Sequence, residues 1–254
     1  MGNESRIRFI IRSILLAVVI ILFIKDKNIM INILNYKIIF NIKIYHIIWT
    51  YLILETLFLI IPYTNNHSYN GKLFLKHYEE VENYDENKLK SYIKRNNKHA
   101  RSVLIAWIVM NFLLYIIYKN YNLSKSYIFL VFMIYYWTDM FCVNVWCPFH
   151  KLFFKSKCCN ECRIYNWDHV MYCTPLLLIK SFWTYSLFIL SFFAFLQWEY
   201  MIRKYPQRFA PLSNKKLQCN GCTYNCRFNK RKQNKKLKRG KNEKQKDSID
   251  NRCF

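Results

Sequence analysis

Six of the ten cysteines in this 254-residue chain fall between Asp139 and Cys173, in the run DMFCVNVWCPFHKLFFKSKCCNECRIYNWDHVMYC. Four thiols, Cys147, Cys158, Cys159 and Cys162, occupy sixteen consecutive residues, a density that points to chemistry as well as to packing. Thiolates hold zinc tetrahedrally. Cys158 or Cys159 with Cys162 has the short chelating spacing of such sites, and Cys147, His150 or His169 would complete four ligands. Disulfides are a second reading, favoured only in an oxidising compartment, and the adjacent pair Cys158 and Cys159 is poorly placed to bond to itself. Thiol catalysis is a third, with Lys155, Lys157 and Arg163 near enough in sequence to lower a thiolate pKa. Unpaired structural thiols are a fourth. The WCPF string shares a cysteine-proline pair with iron-sulfur proteins but lacks ferredoxin spacing. Beyond the last apolar segment, Cys219, Cys222 and Cys226 form C-x-x-C-x-x-x-C, a second local chelate to which Cys253 or an external ligand could add. Zinc is the cofactor these patterns name.

A second group consists of polar residues inside otherwise apolar segments: Glu55, Asn111, Asp139 and Lys180. Asp168 and His169 sit side by side as a carboxylate and an imidazole, a pair suited to acid-base work or to capping a helix start. No Gly-rich phosphate loop, Ser-His-Asp order or H-E-x-x-H helix accompanies them.

The elements that must position these groups are hydrophobic spans. Arg6, Arg8 and Arg12 lead into an apolar run ending at Ile24, read as an uncleaved anchor over Phe9 to Ile24 with Arg12 snorkelling to the headgroups. Lys25 to Lys43 reads as an interfacial amphipathic helix or loop. Ile44 to Tyr63 is a span closed by Pro62, and Thr64 to Arg101 is a polar segment ending in a basic helix against the headgroups. Ser102 to Tyr118, Tyr127 to Trp146 and Thr174 to Trp198 are the remaining spans, rimmed by Tyr and Trp as interfaces favour.

In an up-and-down bundle of the last four spans, the four polar residues lie at similar depth below the cysteine loop, roughly 9 to 14 Å at 1.5 Å per residue. Ionisable groups that deep must pair or be hydrated. Asp139 is expected to pair with Lys180, leaving a surplus carboxylate that takes a proton, a cation or a substrate; the alternative is that Lys180 snorkels to the headgroups and the acids face water at a thinned rim.

Net charge is +24, with 17 of the 39 Lys and Arg after Trp198. That tail reads as disordered at its end and as a partner for anionic lipid. It lacks the interleaved aromatics of a single-strand binder, which disfavours nucleic acid. Orientation signals conflict: the tail argues for a cytoplasmic C-terminus and an external cysteine loop, whereas KRNNKHAR before the third span argues the reverse.

From Leu54 onward the strings LETLFLIIPYT, YDENKLKSYIKRNNKHA, WCPFHKLFFKSKCCNECRIYNWDHVMYCTPLLLIKSF and WEYMIRKYPQRF, with the C-x-x-C-x-x-x-C tail, resemble a group of uncharacterised bacterial polytopic membrane proteins. The resemblance covers about two thirds of the chain, its CPF and CC-x-x-CRI-x-NWD strings being the specific part. It implies a multi-pass location in a bacterial cell membrane and brings no activity.

The sequence therefore predicts an all-α integral membrane protein of four to five transmembrane helices. Residues 1–43 form an anchor and interfacial segment, 44–198 a helical membrane domain with a cysteine-rich loop at 147–173, and 199–254 a basic tail across the membrane from the loop. The expected activity is thiolate metal binding, structural or redox, over a buried polar layer. A small transporter or intramembrane enzyme using Glu55, Asp139 and Lys180 is the alternative, and a structural accessory role is the bland one. Whether the protein is an enzyme stays open.

Overall fold

The computed structural model describes residues 3–61, 72–154 and 161–218. Seven helices dominate: α1 (Asn3–Lys25), α2 (Lys27–Leu34), α3 (Ile44–Ile60), α4 (Glu86–Asn120), α5 (Lys125–Asn144), α6 (Asp168–Cys173) and α7 (Phe182–Lys204). A small hairpin of β1 (Lys37–Ile39) and β2 (Ile42–Lys43) joins α2 to α3. Four of the helices, α1, α4, α5 and α7, are long and apolar enough to cross a membrane, and the 17-residue α3 is the shorter apolar one. At 1.5 Å per residue α3 is about 26 Å long, close to the thickness of a hydrocarbon core.

Contacts fix how the chain runs. Asn144 Nδ2 donates to the Ser5 carbonyl, Phe9 packs on Trp137, and Phe23 packs on Tyr127, so α1 and α5 are antiparallel along their whole length. The helices α3 and α7 run in the same direction. Trp49 Nε1 donates to Ser186 Oγ near their starts, and Gln197 Nε2 donates to the Ile60 carbonyl near their ends. One end of the bundle therefore carries the cysteine loop with the N-terminus of α1 and the C-terminus of α7. The other carries the hairpin, and the α4–α5 turn, where Asn122 adopts φ 45°, a left-handed conformation Asn tolerates.

The fifth apolar segment departs from the expected Thr174–Trp198 span. Its first part is α6 continued by a 3₁₀ turn, Thr174–Leu178, which runs from the loop end down to the hairpin end. There Lys180 borders the same groove as Asn35, Tyr45 and Lys125. Helix α7 starts only at Phe182, its N-terminus capped by the Ser181 side chain accepting from the Trp183 amide. It then returns to the loop end. This additional pass reverses the tail: residues 206–218 pack against the loop end, with Lys215 N donating to the Glu79 carbonyl and Val81 N to that of Ser213. A tail opposite the loop is thus corrected for every described residue, while Cys219, Cys222 and Cys226 lie outside them.

Nor does a separate interfacial helix precede the third span. Asp85 caps α4 by accepting from the amides of Asn87 and Lys88, and no Gly or Pro interrupts the 35 residues that follow. The first half buries Leu89, Asn96 and Ala100 against the loop end. Two apolar clusters form the core. One, at the loop end, gathers Leu73, Val103, Ile164, Trp167, Trp198 and Ile202; the other, in mid-bundle, gathers Leu52, Phe132, Tyr136, Tyr172, Leu176 and Leu187. Small residues let the helices approach: Ser191 and Ala194 of α7 are almost fully buried.

Candidate functional site

Arg12 is 4% exposed and lies at the centre of the polar layer. Its Nη1 donates to Asp139 Oδ2 at 2.6 Å and to the Tyr136 carbonyl at 2.9 Å, and its Nη2 donates to Glu55 Oε1 at 2.9 Å. The guanidinium also sits 3.6 Å above the Tyr136 ring, an attractive geometry for a desolvated cation. Three helices, α1, α3 and α5, are tied together by one planar fork that satisfies both carboxylates at once, which a lysine ammonium does less well.

Two expectations change here. Arg12 does not snorkel, because the run following it is long enough to bury the guanidinium where the carboxylates wait. Asp139 does not pair with Lys180, which is exposed at the opposite end of the bundle. Glu55 and Asp139 meet through Arg12, which bonds to both. Asn111 is partly buried and donates to the Trp107 carbonyl within its own helix.

Adjoining this layer is a cavity of about 290 Å³, bounded by α4, α5, the start of the loop and the segment around α6. Its lining is largely apolar and aromatic. Asp139 and Asp168 reach it, as do Cys142, Cys147 and Cys162. Trp107 also borders it, and the buried indole N–H of Trp107 has no acceptor among the described residues. The cavity therefore offers carboxylate acceptors, thiols and one unmet donor to a ligand whose body is apolar. Sequence reasoning missed it because α4 reaches α6 only through the tertiary fold; the Tyr and Trp at its edge resemble ordinary interface residues.

The predicted metal ligands separate. Cys147 and Cys162 border this cavity, and burial pushes the Cys162 thiol up to about 12. His169 is buried elsewhere: its Nδ1 lies 2.9 Å from Thr56 Oγ1 and 2.5 Å from the Tyr172 hydroxyl. Asp168 is the first residue of α6 and its Oδ1 accepts from the adjacent His169 amide; the N-cap position is Trp167, with no side-chain cap. Cys158, Cys159 and the side chain of His150 lie outside the described residues. Among the described residues no three of His, Cys, Asp and Glu converge on a position that could hold an ion.

Arg163 does favour the Cys162 thiolate, but burial opposes it more strongly, and the Arg163 guanidinium is engaged elsewhere. It makes a two-pronged bond to Glu199 of α7 at 2.6 and 2.7 Å and donates through Nε to Asn97 of α4 at 2.9 Å. Trp167 Nε1 adds a bond to Glu199 at 2.9 Å, and Trp198 Nε1 donates to the Arg163 carbonyl. The CRI-x-NW string is thus a clamp that fixes the end of the loop onto α4 and α7. Comparison with protein-family models gives no match, and comparisons with the curated proteins and with the solved structures give none either.

Proposed function

We propose that this is a multi-pass integral membrane protein that binds a small amphiphile, apolar in body and basic at one end, in the cavity beside Asp139 and Asp168. The observation that carries the reading is the pairing of an apolar cavity with two carboxylates beside a guanidinium already bonded to Glu55 and Asp139. Carboxylates in excess of the cation that serves them favour an arriving ammonium group, or hold a proton in its absence. A transporter and an intramembrane enzyme would share this binding step. The resemblance to bacterial polytopic membrane proteins agrees with the location and adds no substrate.

In detergent-purified protein, octylamine is expected to raise the thermal unfolding midpoint more than octanol does, and octanoate is expected to raise it least. Asp168→Asn should abolish the preference for the amine while leaving the unliganded midpoint within a few degrees. Equal effects of all three probes on the native protein would sink the proposal. Cys147 and Cys162 on the same cavity favour a second reading, thiolate metal binding completed by Cys158 or Cys159. Stoichiometric zinc in the purified protein, lost in Cys162→Ser, would favour that reading instead.

The run of the chain supports one orientation over the other. The hairpin end holds seven basic residues, Lys25, Lys27, Lys37, Lys43, Lys119, Lys125 and Lys180, and the other described Lys and Arg, Arg12 apart, are at the loop end. The positive-inside bias then favours a cytoplasmic loop end. KRNNKHAR and the basic tail, which conflicted in an up-and-down reading, now agree. A membrane-impermeant thiol reagent on intact cells should leave Cys147 and Cys222 unlabelled and should label a cysteine introduced as Asn122→Cys. Labelling of Cys222 with protection of Cys147 would restore the opposed-tail topology.

A further inference from the structure

We propose that the groove between the first half of α4 and the last turn of α7 is a binding site for the phosphates of an anionic phospholipid. The groove, about 990 Å³ in volume, is lined by Lys90, Lys94, Arg95, Lys98 and Arg101 from α4 and by Arg203 from α7, and among the described residues no acidic one borders it. Positions 90, 94, 98 and 101 recur at helical spacing, so their side chains stand in a row along one face of α4. The nearest acid bridging any of them is Glu86, 3.8 Å from Lys90, both side chains about three-quarters exposed. A solvated pair of that kind neutralises little.

Two further facts specify a lipid. Arg101 immediately precedes the apolar run of α4, and Arg203 lies one turn beyond Trp198, so the cations stand where both helices pass from apolar to polar sequence. That is headgroup depth, and basic pockets between helices on the cytoplasmic side suit phosphate-bearing headgroups. The floor includes Ile93 and Ile202, apolar surface against which the glycerol and first methylenes can lie. Six cations in one groove match a lipid with two phosphates, such as cardiolipin, better than one with a single phosphate. Lysines supply strong point charges and the arginines supply forked donors to phosphate oxygens.

The assignment rests on the reading of the bundle as membrane-embedded, and extraction with alkaline carbonate tests that separately. In native mass spectrometry of detergent-purified protein, cardiolipin should be retained at least about tenfold more strongly than phosphatidylcholine. The triple variant Lys94→Gln, Lys98→Gln and Arg101→Gln should lose that preference. A control removing equal charge at the same end but outside the groove, Lys88→Gln, Lys215→Gln and Lys216→Gln, should keep it. All the substituted side chains are exposed or partly so, and both variants should unfold at the native temperature without lipid. Equal loss in the two variants would reduce the effect to bulk charge and overturn the site. Displacement of cardiolipin by millimolar inorganic pyrophosphate alone would identify a soluble anion as the ligand and overturn the lipid assignment. Failure of selectivity in a protein that resists carbonate extraction would overturn the groove and leave the membrane reading standing.

Discussion

Replacing Arg12 by Met is expected to lower the stability of the bundle by about 3–5 kcal/mol, the usual consequence of removing one partner from a buried ion pair. Met roughly preserves the volume of the side-chain stem, so little of the effect comes from a void. Most of it comes from Glu55 and Asp139, each only 13% exposed in its side chain, which lose the cation between them. Adding Glu55→Gln and Asp139→Asn to Arg12→Met should recover much of the loss, because neutral amides do not repel and can bond to each other. Unfolding in mixed micelles measures both steps. Additive losses with no recovery would mean that the three side chains act independently. Arg12→Lys is expected to fall between, since an ammonium cannot serve Asp139, Glu55 and the Tyr136 carbonyl with the same fork geometry.

The second large effect is expected at Glu199. Its carboxylate receives both prongs of Arg163 and the indole N–H of Trp167, with the Arg163 and Glu199 side chains 8% and 14% exposed. Glu199→Ala should destabilise by about 3–5 kcal/mol for the same reason as at Arg12, with a second consequence that Arg12 variants lack. The clamp holds the chain just after Cys162, whose thiol is buried and poorly ionised. Releasing it should raise the alkylation rate of Cys162 by more than about tenfold at a fixed pH, because reaction requires exposure and ionisation together. An unchanged rate in a destabilised protein would show that the loop is held by other contacts. In the double variant with Arg163→Met, the loss should be smaller than the sum of the single losses.

Periodicity and edge residues located the second and fourth apolar segments, and the end of the third, to within a few residues, and counting inward from their ends brought Glu55 and Asp139 to one level. Arg12 was misplaced because a short run behind three arginines has the form of an anchor whose charges stay outside; only the acids on distant helices draw it inward. The extra pass before α7 had visible signals. Pro175 sits at the start of a 3₁₀ turn, and Lys180 and Ser181 interrupt the apolar run just where Ser181 caps a helix. Hydropathy averaged over the whole segment outweighed them. Continuity of α4 was also legible, in the absence of any breaker from Glu86 to Asn120, but the change from polar to apolar composition suggested a boundary where the backbone has none. The clamp at Arg163 could not be read locally, since Glu199 is 36 residues away.

The position of Arg12 in the chain sets a timetable for biogenesis. Glu55 follows it by 43 residues and Asp139 by 127. At ordinary translation speeds of about 5–20 residues per second, the second carboxylate emerges on the order of ten seconds after the guanidinium. A lone guanidinium in hydrocarbon costs several kcal/mol, so in a membrane-inserted bundle the charge on α1 would be fully met only once α5 is made. The first helix synthesised would then be among the last to be sealed into the bundle, and a chain interrupted before Asp139 would hold the guanidinium with at most one of its two carboxylates.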